Sequence, residues 1–394
     1  MGTSPLRILS VVEATTINAV AKVVLEFYRA ARELQQSTAD FPEIQGSIVT
    51  FERRPDTGLP NAFVLAAHEQ GLETSVIPER SRFDLSVLPA LRQVVEKHHP
   101  AIVVTHSVKS HFLLWRSHLS RRYPWVAFHH GYTTTDRKMR LYNRVDRRSL
   151  PAAGHLITVC QAFARELASS TGVSPTKISV LHNSIRPQPP ATDDEAQALR
   201  SRFGIADTER VVLAVGRLSK EKAHIDLIAA FARLRQANHE INCKLIIAGE
   251  GPERVTLETA AESFGCKANV IFAGQVTDVR GFYAMADVFV LPSHSEGSPQ
   301  VLLEAMVAKV PVVATSVGGV PEMVEHNESA LLISANDPSS MSAAILRVLT
   351  DEELTHRLTV KASALVTTKF SPEKYARPLV DIYREVIDQR TSAK

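Results

Sequence analysis

Short runs rich in Val and Ile alternate with helical stretches along this chain, and the architecture that accommodates them is a parallel sheet covered by helices. Strands buried on both faces read as continuous apolar runs, and each parallel neighbour needs a crossover long enough to hold a helix. In the first half the strand candidates are Arg7–Val12, Gly46–Thr50, Glu73–Ile77, Ala101–Thr105, Trp125–His129, His155–Val159 and Ile178–Leu181. Helical stretches such as Ala19–Leu34, Asn61–Gln70, Ser86–Lys97 and Gln161–Ser169 separate them. The alternation stops at Arg186-Pro-Gln-Pro-Pro-Ala-Thr-Asp-Asp194, a linker in which three prolines in four positions continue neither a helix nor a central strand. It restarts with strands at Val211–Val215, Lys244–Ala248, Val270–Ala273, Val288–Leu291 and Pro311–Ala314. Helices are expected over 225–236, 254–264, 279–286, 299–308, 320–325, 339–349 and 372–387. The fold class is therefore α/β, with two Rossmann-like, doubly wound parallel-sheet domains, 1–186 and 187–371, facing a central cleft. A C-terminal helix within 372–394 is expected to cross back to the first domain. Sheets of this kind bind ligands outside the carboxyl ends of their strands.

Composition narrows the setting. Among 394 residues no apolar run approaches the ~20 needed to span a bilayer. The three cysteines, Cys160, Cys243 and Cys266, form neither a CxxC pair nor a zinc pattern, which suits a reducing compartment. The expectation is a cytoplasmic protein. The net charge of +3 divides into +8 up to residue 186 and −5 after it. Between Arg116 and Arg148 nine Lys and Arg face only Asp136 and Asp146. That basic segment, 116–148, reads either as a solvated helix face or as a peripheral contact with anionic membrane at the inner face of the cell membrane. Nucleic acid is not expected as a partner, because no stacking pattern or DNA-binding motif accompanies the charges.

No Gly-x-Gly-x-x-Gly follows a strand: Gly249-Glu-Gly251 has Arg254 where the third glycine belongs. A Walker A sequence is missing too, as is an Asp-x-Asp pair beside a strand. Neither a cofactor nor a metal is expected, so a phosphate would have to meet side-chain cations or helix ends. Val215-Gly216-Arg217-Leu-Ser-Lys-Glu-Lys222 supplies the cations at the end of the second half's first strand. A forked guanidinium and a point-charge ammonium converging on one spot suit a diphosphate and the charge developing on a leaving phosphate. In Leu291-Pro-Ser-His-Ser-Glu296-Gly297-Ser298-Pro299-Gln300-Val-Leu-Leu-Glu304 a buried strand ends, a polar turn follows and a helix begins. Ser298 is suited to N-cap that helix with Pro299 as its first residue, and the N–H groups from Gln300 onward make an anion site. Glu296 and Glu304 bracket that site and can accept hydrogen bonds from sugar hydroxyls.

With these residues in view, the second half resembles the retaining glycosyltransferases of family 4, which have the GT-B fold. The resemblance runs through Val215-Gly-Arg-Leu, Glu221-Lys222, Ile247-Ala-Gly-Glu-Gly-Pro252, Phe272-Ala-Gly-Gln-Val276 and Ala286-Asp-Val-Phe-Val-Leu-Pro-Ser293. It continues through Glu296-Gly, Glu304-Ala-Met306, Pro311-Val-Val, Gly318-Gly-Val-Pro-Glu322 and Phe370-Ser-Pro-Glu-Lys. The first half resembles the family more faintly, through His130-Gly131, Ile157-Thr-Val-Cys-Gln-Ala-Phe and Val180-Leu-His-Asn183. Carried over, the resemblance implies that Gly216 lets Arg217 and Lys222 hold the donor diphosphate, that Glu304 binds ribose, and that Glu296 binds the transferred sugar. Backbone around Gly297, Ser298, Pro299 and Gln300 would meet sugar and phosphate, Val276 and Asp278 would lie by the base, and His130, with His129 as its alternative, would reach the transferred sugar. Where the family carries a glycine-rich first loop, this chain has Glu13-Ala-Thr-Thr-Ile-Asn18, so Thr15, Thr16 or Asn18 would serve the acceptor side.

The function implied is a metal-independent, retaining transfer of sugar from a nucleotide-diphosphate-sugar to a hydroxyl acceptor in polysaccharide, glycolipid or lipid-linked glycan synthesis. Hinge closure would exclude water from the step. Two rivals share the resemblance: a catalytically silent sugar-nucleotide-binding subunit, and another GT-B enzyme such as a nucleotide-sugar epimerase.

Overall fold

In the computed structural model, which describes residues 5–53, 60–81, 84–132 and 137–392, the chain divides into two compact units. The first comprises residues 1–184 and 372–394, the second residues 185–371. The first unit runs β1 (Leu6–Val11), α1 (Ala19–Ser37), β2 (Ile44–Arg53), α2 (Ala62–Glu69), β3 (Glu73–Glu79), α3 (Val87–His98) and β4 (Ile102–Thr105). It continues through α4 (Val108–Arg116), β5 (Trp125–His129), α5 (Arg137–Ser149), β6 (His155–Thr158), α6 (Gln161–Thr171) and β7 (Ile178–Val180). All seven strands are parallel, in the order β3-β2-β1-β4-β5-β6-β7. Every residue of β4 and β5 is buried, as strands covered on both faces require.

The second unit runs α7 (Asp193–Arg202), β8 (Arg210–Val215), α8 (His224–Ala237), β9 (Cys243–Ala248), α9 (Arg254–Ser263), β10 (Val270–Gly274), α10 (Arg280–Ala284) and β11 (Val288–Leu291). There follow α11 (Gln300–Val307), β12 (Val312–Thr315), α12 (Val320–Met323), β13 (Leu331–Ile333), α13 (Pro338–Thr350) and α14 (Glu352–Lys369). Its six strands are parallel in the order β10-β9-β8-β11-β12-β13. In both sheets the order reverses once, between β1 and β4 and between β8 and β11, and each reversal opens a crevice at the strand ends.

The last helix, α15 (Pro372–Ser392), packs into the first unit's core. Tyr383 meets Phe27 of α1 edge to face, ring centroids 5.8 Å apart, and Tyr375, Leu379 and Val380 join the same cluster.

Some elements depart from the sequence reading. α7 begins at Asp193, inside the stretch taken as linker, because Thr192 and Glu195 form a capping box there. Thr192 Oγ1 accepts from the Glu195 N–H at 3.2 Å, and the Glu195 carboxylate accepts from the Thr192 N–H at 2.8 Å. Helices α4 and α14 and strand β13 were not expected, while α5 falls in the basic segment for which a helix face was one reading. The buried residues of α14, Leu354, Leu358, Ala362 and Val366, recur every fourth position among polar neighbours, so its stripe is narrow.

Candidate functional site

The loops that follow β8 and β11 meet at the second unit's reversal of strand order. After Val215 the chain turns through Gly216, carries Arg217 outward, and forms a short turn of 3-10 helix at Lys220–Lys222 before α8. After Leu291 it runs through Pro292–Pro299 into α11. Three contacts tie the loops together. The His294 backbone N–H donates to the Glu221 carbonyl at 2.8 Å, His294 Nε2 lies 2.8 Å from Asp226 Oδ2, and Lys222 Nζ lies 2.7 Å from Glu296 Oε1.

Glu296 is the hub of this arrangement. It is 6% exposed, and the oxygen that takes Lys222 also accepts from Ser293 Oγ at 2.6 Å. Its backbone carbonyl accepts from the Gly319 N–H at 3.1 Å. A Cβ on Gly318 would stand 1.8 Å from that same carbonyl, so only glycine fits there. The β8 loop is braced in the same manner. Gly249, at φ 151°, passes so close that a Cβ would fall 1.9 Å from the Gly216 carbonyl, and one on Gly251 would fall 2.3 Å from that of Leu218. Backbone bonds from Gly216 to Ala248 (2.9 Å) and from Leu218 to Glu250 (3.1 Å) complete the seam.

Arg217 is exposed, and its side chain has no hydrogen bond or ion pair among the described residues. Burial works against ionisation of Glu221, but the Ser219 hydroxyl and the charges of Arg217 and Lys222 outweigh it and hold its carboxyl below the usual range. On α11, Glu304 Oε2 lies 3.1 Å from Tyr283 Oη, which α10 supplies. Burial, then the Glu304 charge, keeps that phenol protonated far into the alkaline range.

One placement corrects the sequence reading. Ser298 does not cap α11: its hydroxyl turns to Met323 Sδ at 3.6 Å, Pro299 takes the cap position in extended backbone, and the helix starts at Gln300. Asp278 is exposed and gripped by Arg280, whose Nη2 lies 2.6 Å away, so its oxygens are largely occupied; Val276 is partly buried against the apolar cluster beneath it. Gly297 is partly buried at the mouth of the β11 loop.

In the first unit, Thr15, Thr16 and Asn18 occupy the exposed loop after β1. Asn18 caps α1 by accepting from the Ala21 N–H at 2.9 Å, so its carbonyl oxygen is committed to the helix. His130 follows β5 and stands in a cluster that sequence reasoning missed. His111 Nδ1 lies 2.7 Å from Asp146 Oδ1, Tyr132 Oη donates to Asp146 Oδ2 at 2.9 Å, and His129 Nδ1 is 3.8 Å from the same carboxylate. His106 stacks on Phe128 at 4.7 Å and on His130 at 6.0 Å. His129 Nε2, His130 Nε2 and His106 Nδ1 are buried without a hydrogen-bond partner among the described residues. Burial lowers His130 to about 4 and His129 to about 3, and the nearby His111 adds to both shifts. A run of histidines at the ends of β4 and β5 was the available signal.

Of the basic segment, Arg122 pairs with Glu96 and Arg147 with Glu166. Arg116, Arg121, Arg140, Arg144 and Arg148 are exposed and have no acid partner among the described residues. The side chains of Arg137 and Lys138 lie outside the described residues. Among the described residues no helix is long and apolar enough to cross a membrane.

Two parallel-sheet Rossmann-like units, the second built around an acid–cation pair at its switch point, define the GT-B class. Solved structures of that class superpose on it. Anabaena HepE in complex with UDP and glucose matches with a TM-score of 0.79 at 18% identity, covering 96% of this chain and all of that one. Sucrose-phosphate synthase from Thermosynechococcus elongatus matches at 0.78 and 19%, covering 97% of this chain and all of that one. The family model of glycosyl transferases group 1 matches residues 195–364, and that of Glycosyltransferase Family 4 matches residues 46–188. The chain belongs to family 4 of the glycosyltransferases, the group 1 glycosyl transferases. Curated relatives include the N-acetyl-alpha-D-glucosaminyl L-malate synthase of Bacillus anthracis, 30% identical over 50% of this chain and 51% of that protein. The D-inositol 3-phosphate glycosyltransferase of Acidothermus cellulolyticus is 32% identical over 61% of this chain and 55% of that protein. The chain thus spans about half the length of the curated relatives it matches.

Proposed function

We propose that this protein is a retaining, metal-independent glycosyltransferase that moves a sugar from a nucleoside-diphosphate-sugar to a hydroxyl acceptor in polysaccharide, glycolipid or lipid-linked glycan synthesis. The observation that carries the reading is the Lys222–Glu296 pair at the second unit's switch point, with Arg217 unpaired beside it. Arg217, Lys222 and the N-terminus of α11 supply positive potential where the donor diphosphate leaves. Glu296 takes a hydroxyl of the transferred sugar and Glu304 the ribose, while His130 contacts the transferred sugar, as in the family the chain resembles. The bond from the anomeric carbon to the diphosphate oxygen breaks, and a bond to the acceptor oxygen forms on the same face. The acceptor proton passes to the departing phosphate, so no covalent nucleophile is needed. Peripheral contact with anionic membrane through 116–148 belongs to the same proposal, supported by the unpaired arginines there.

The test begins with thermal shifts against UDP-, GDP- and ADP-sugars, and continues with a labelled form of the donor that binds. Transfer with retained anomeric configuration by NMR, at a rate unchanged by EDTA, is expected. Binding without transfer to any hydroxyl acceptor would move the assignment to a silent subunit, and an inverted product would remove the front-face step.

A further inference from the structure

A second cavity, in the first unit, has no part in the donor chemistry. Leu85 ahead of α3, Val108, Phe112 and Leu113 of α4, and Leu141 and Val145 of α5 wall a space of about 580 Å³. Its two charged neighbours are already engaged. Lys109 pairs with the buried Glu79 and lies over the Phe51 ring, and Asp84 accepts from the N–H groups of Arg80 and Ser86. Met139 and Tyr142 complete a lining that is otherwise hydrocarbon. The space opens outward, since Leu141 is 60% and Leu85 53% exposed, and Trp115, packed on Phe112, is 36% exposed. Large apolar side chains left this open in one place mark a binding surface.

The rim adds a sign of charge. Arg144 and Arg148 follow Leu141 by three and seven positions on α5, so all three share a helix face, with Val145 completing the apolar edge. Neither arginine has an acid partner among the described residues. The described acid of the same helix, Asp146, is fully buried and spent on His111 and Tyr132, so it neutralises nothing outside. Hydrocarbon walls bordered by uncompensated guanidinium groups fit a molecule with an apolar chain and an anionic head.

We propose that this pocket binds the hydrocarbon end of a lipid phosphate whose phosphate is held by Arg144 and Arg148, and that such a lipid carries the acceptor hydroxyl. The acceptor role rests on the glycosyltransferase reading above; the binding does not.

The test is calorimetric titration of the full chain with dodecyl phosphate, kept below the concentration at which it forms micelles. Dodecyl phosphate is expected to bind at least ~100-fold more tightly than butyl phosphate, the gain from burying only three or four of its eight extra methylenes at ~0.8 kcal/mol each, and inorganic phosphate should give no heat. Leu141→Asp, a substitution at an exposed position, should weaken dodecyl phosphate at least ~10-fold. The double variant Arg144→Glu/Arg148→Glu should do the same while leaving the weak binding of uncharged dodecyl maltoside in place. Equal affinity for dodecyl and butyl phosphate, or for wild type and Leu141→Asp, overturns the pocket. So does binding confined to phosphatidylglycerol vesicles with no response to the monomeric amphiphile, which would make the face a membrane contact. Donor-induced thermal shifts on the same samples separate the two readings. A missing donor shift beside intact dodecyl phosphate binding overturns the transferase, and a preserved shift beside missing amphiphile binding overturns only the pocket.

Discussion

Lys222 Nζ and Glu296 Oε1 lie 2.7 Å apart although 74 positions separate the residues in the chain. The pair joins the two loops that flank the second sheet's switch point, and it leaves the carboxylate 6% exposed while the lysine side chain keeps 26% of its surface open. An ammonium held at one end by an acid can still present its other protons outward. In the reaction proposed above, the acid fixes the cation that meets the phosphate, and the cation fixes the acid that meets a sugar hydroxyl.

Replacing either member should therefore damage both tasks. Lys222→Ala and Glu296→Gln are each expected to lower kcat/KM by ~10²–10³, the usual cost of one oriented charge contact in a transition state. The double variant should cost clearly less than the sum, because the partners act as a unit. Steady-state kinetics with the donor found by thermal shift reads this out, and near-normal turnover in both single variants would dismiss the site.

Backbone crowding behind Glu296 makes a second expectation. A methyl group on Gly318 would sit 1.8 Å from the Glu296 carbonyl, at φ 52°, so Gly318→Ala must displace the loop that carries the acid. Loss of ~2–3 kcal/mol of stability together with most activity is expected. Gly172→Ala provides the comparison. Gly172 has similar backbone, φ 71°, but open space around it, and should cost only ~1–2 kcal/mol with activity intact. Urea titrations of the two proteins decide, and equal destabilisation would remove the crowding argument.

This is also where sequence reading reached its limit. The central strands were legible because each is a continuous apolar run, and Trp125–His129 and Val288–Leu291 were placed to the residue, whereas the short edge strand β13 was missed. Arg217, Lys222 and Glu296 were legible as charges in the loops after strand ends, and Glu304 as a carboxylate inside the helix that follows. Gly318 was visible within Gly318-Gly-Val-Pro-Glu322, yet the carbonyl that it must clear belongs to a different loop, which no local pattern announces. Ser298 misled for a related reason: Ser-Pro before an apolar run reads as a cap, but Met323 lies within reach of the hydroxyl and drew it away. The cluster around Asp146 combines four elements and has no sequence spacing to betray it.

The Tyr283 hydroxyl lies 3.1 Å from Glu304 Oε2 and 3.1 Å from the Val301 carbonyl. Tyr283→Phe removes that oxygen and little volume from a side chain 2% exposed. Hydrogen bonds to charged groups contribute about 1.5–3 kcal/mol, so the expected effect is a donor KM raised ~10-fold with kcat within ~2-fold of wild type. Glu304 then loses that one hydrogen bond but keeps its charge. A kcat loss equal to the KM change would instead place Tyr283 on the chemical step.

The buried histidines set the response to acid. Burial is the main cause that lowers His129 to about 3 and His130 to about 4, with the nearby Asp146 carboxylate opposing the shift at His129 and His111 adding to both. His106 is displaced in the same direction by burial and by His130. In the unfolded chain these rings take up protons near 6.5, whereas the folded unit refuses them until the pH reaches the lowered values. The unfolded state thus binds more protons between those limits. Stability should be level above pH ~7 and fall as the pH drops below 6.5, by up to ~1.4 kcal/mol per pH unit for each ring, the contributions of His129 and His130 levelling off near pH 3 and 4. The first unit is accordingly expected to unfold in urea at distinctly lower concentration at pH 5 than at pH 7.5. His129→Gln/His130→Gln, which cannot take the protons, should flatten that dependence even if the variant starts less stable. Slopes that coincide for wild type and variant would show that these rings are not held neutral by the fold.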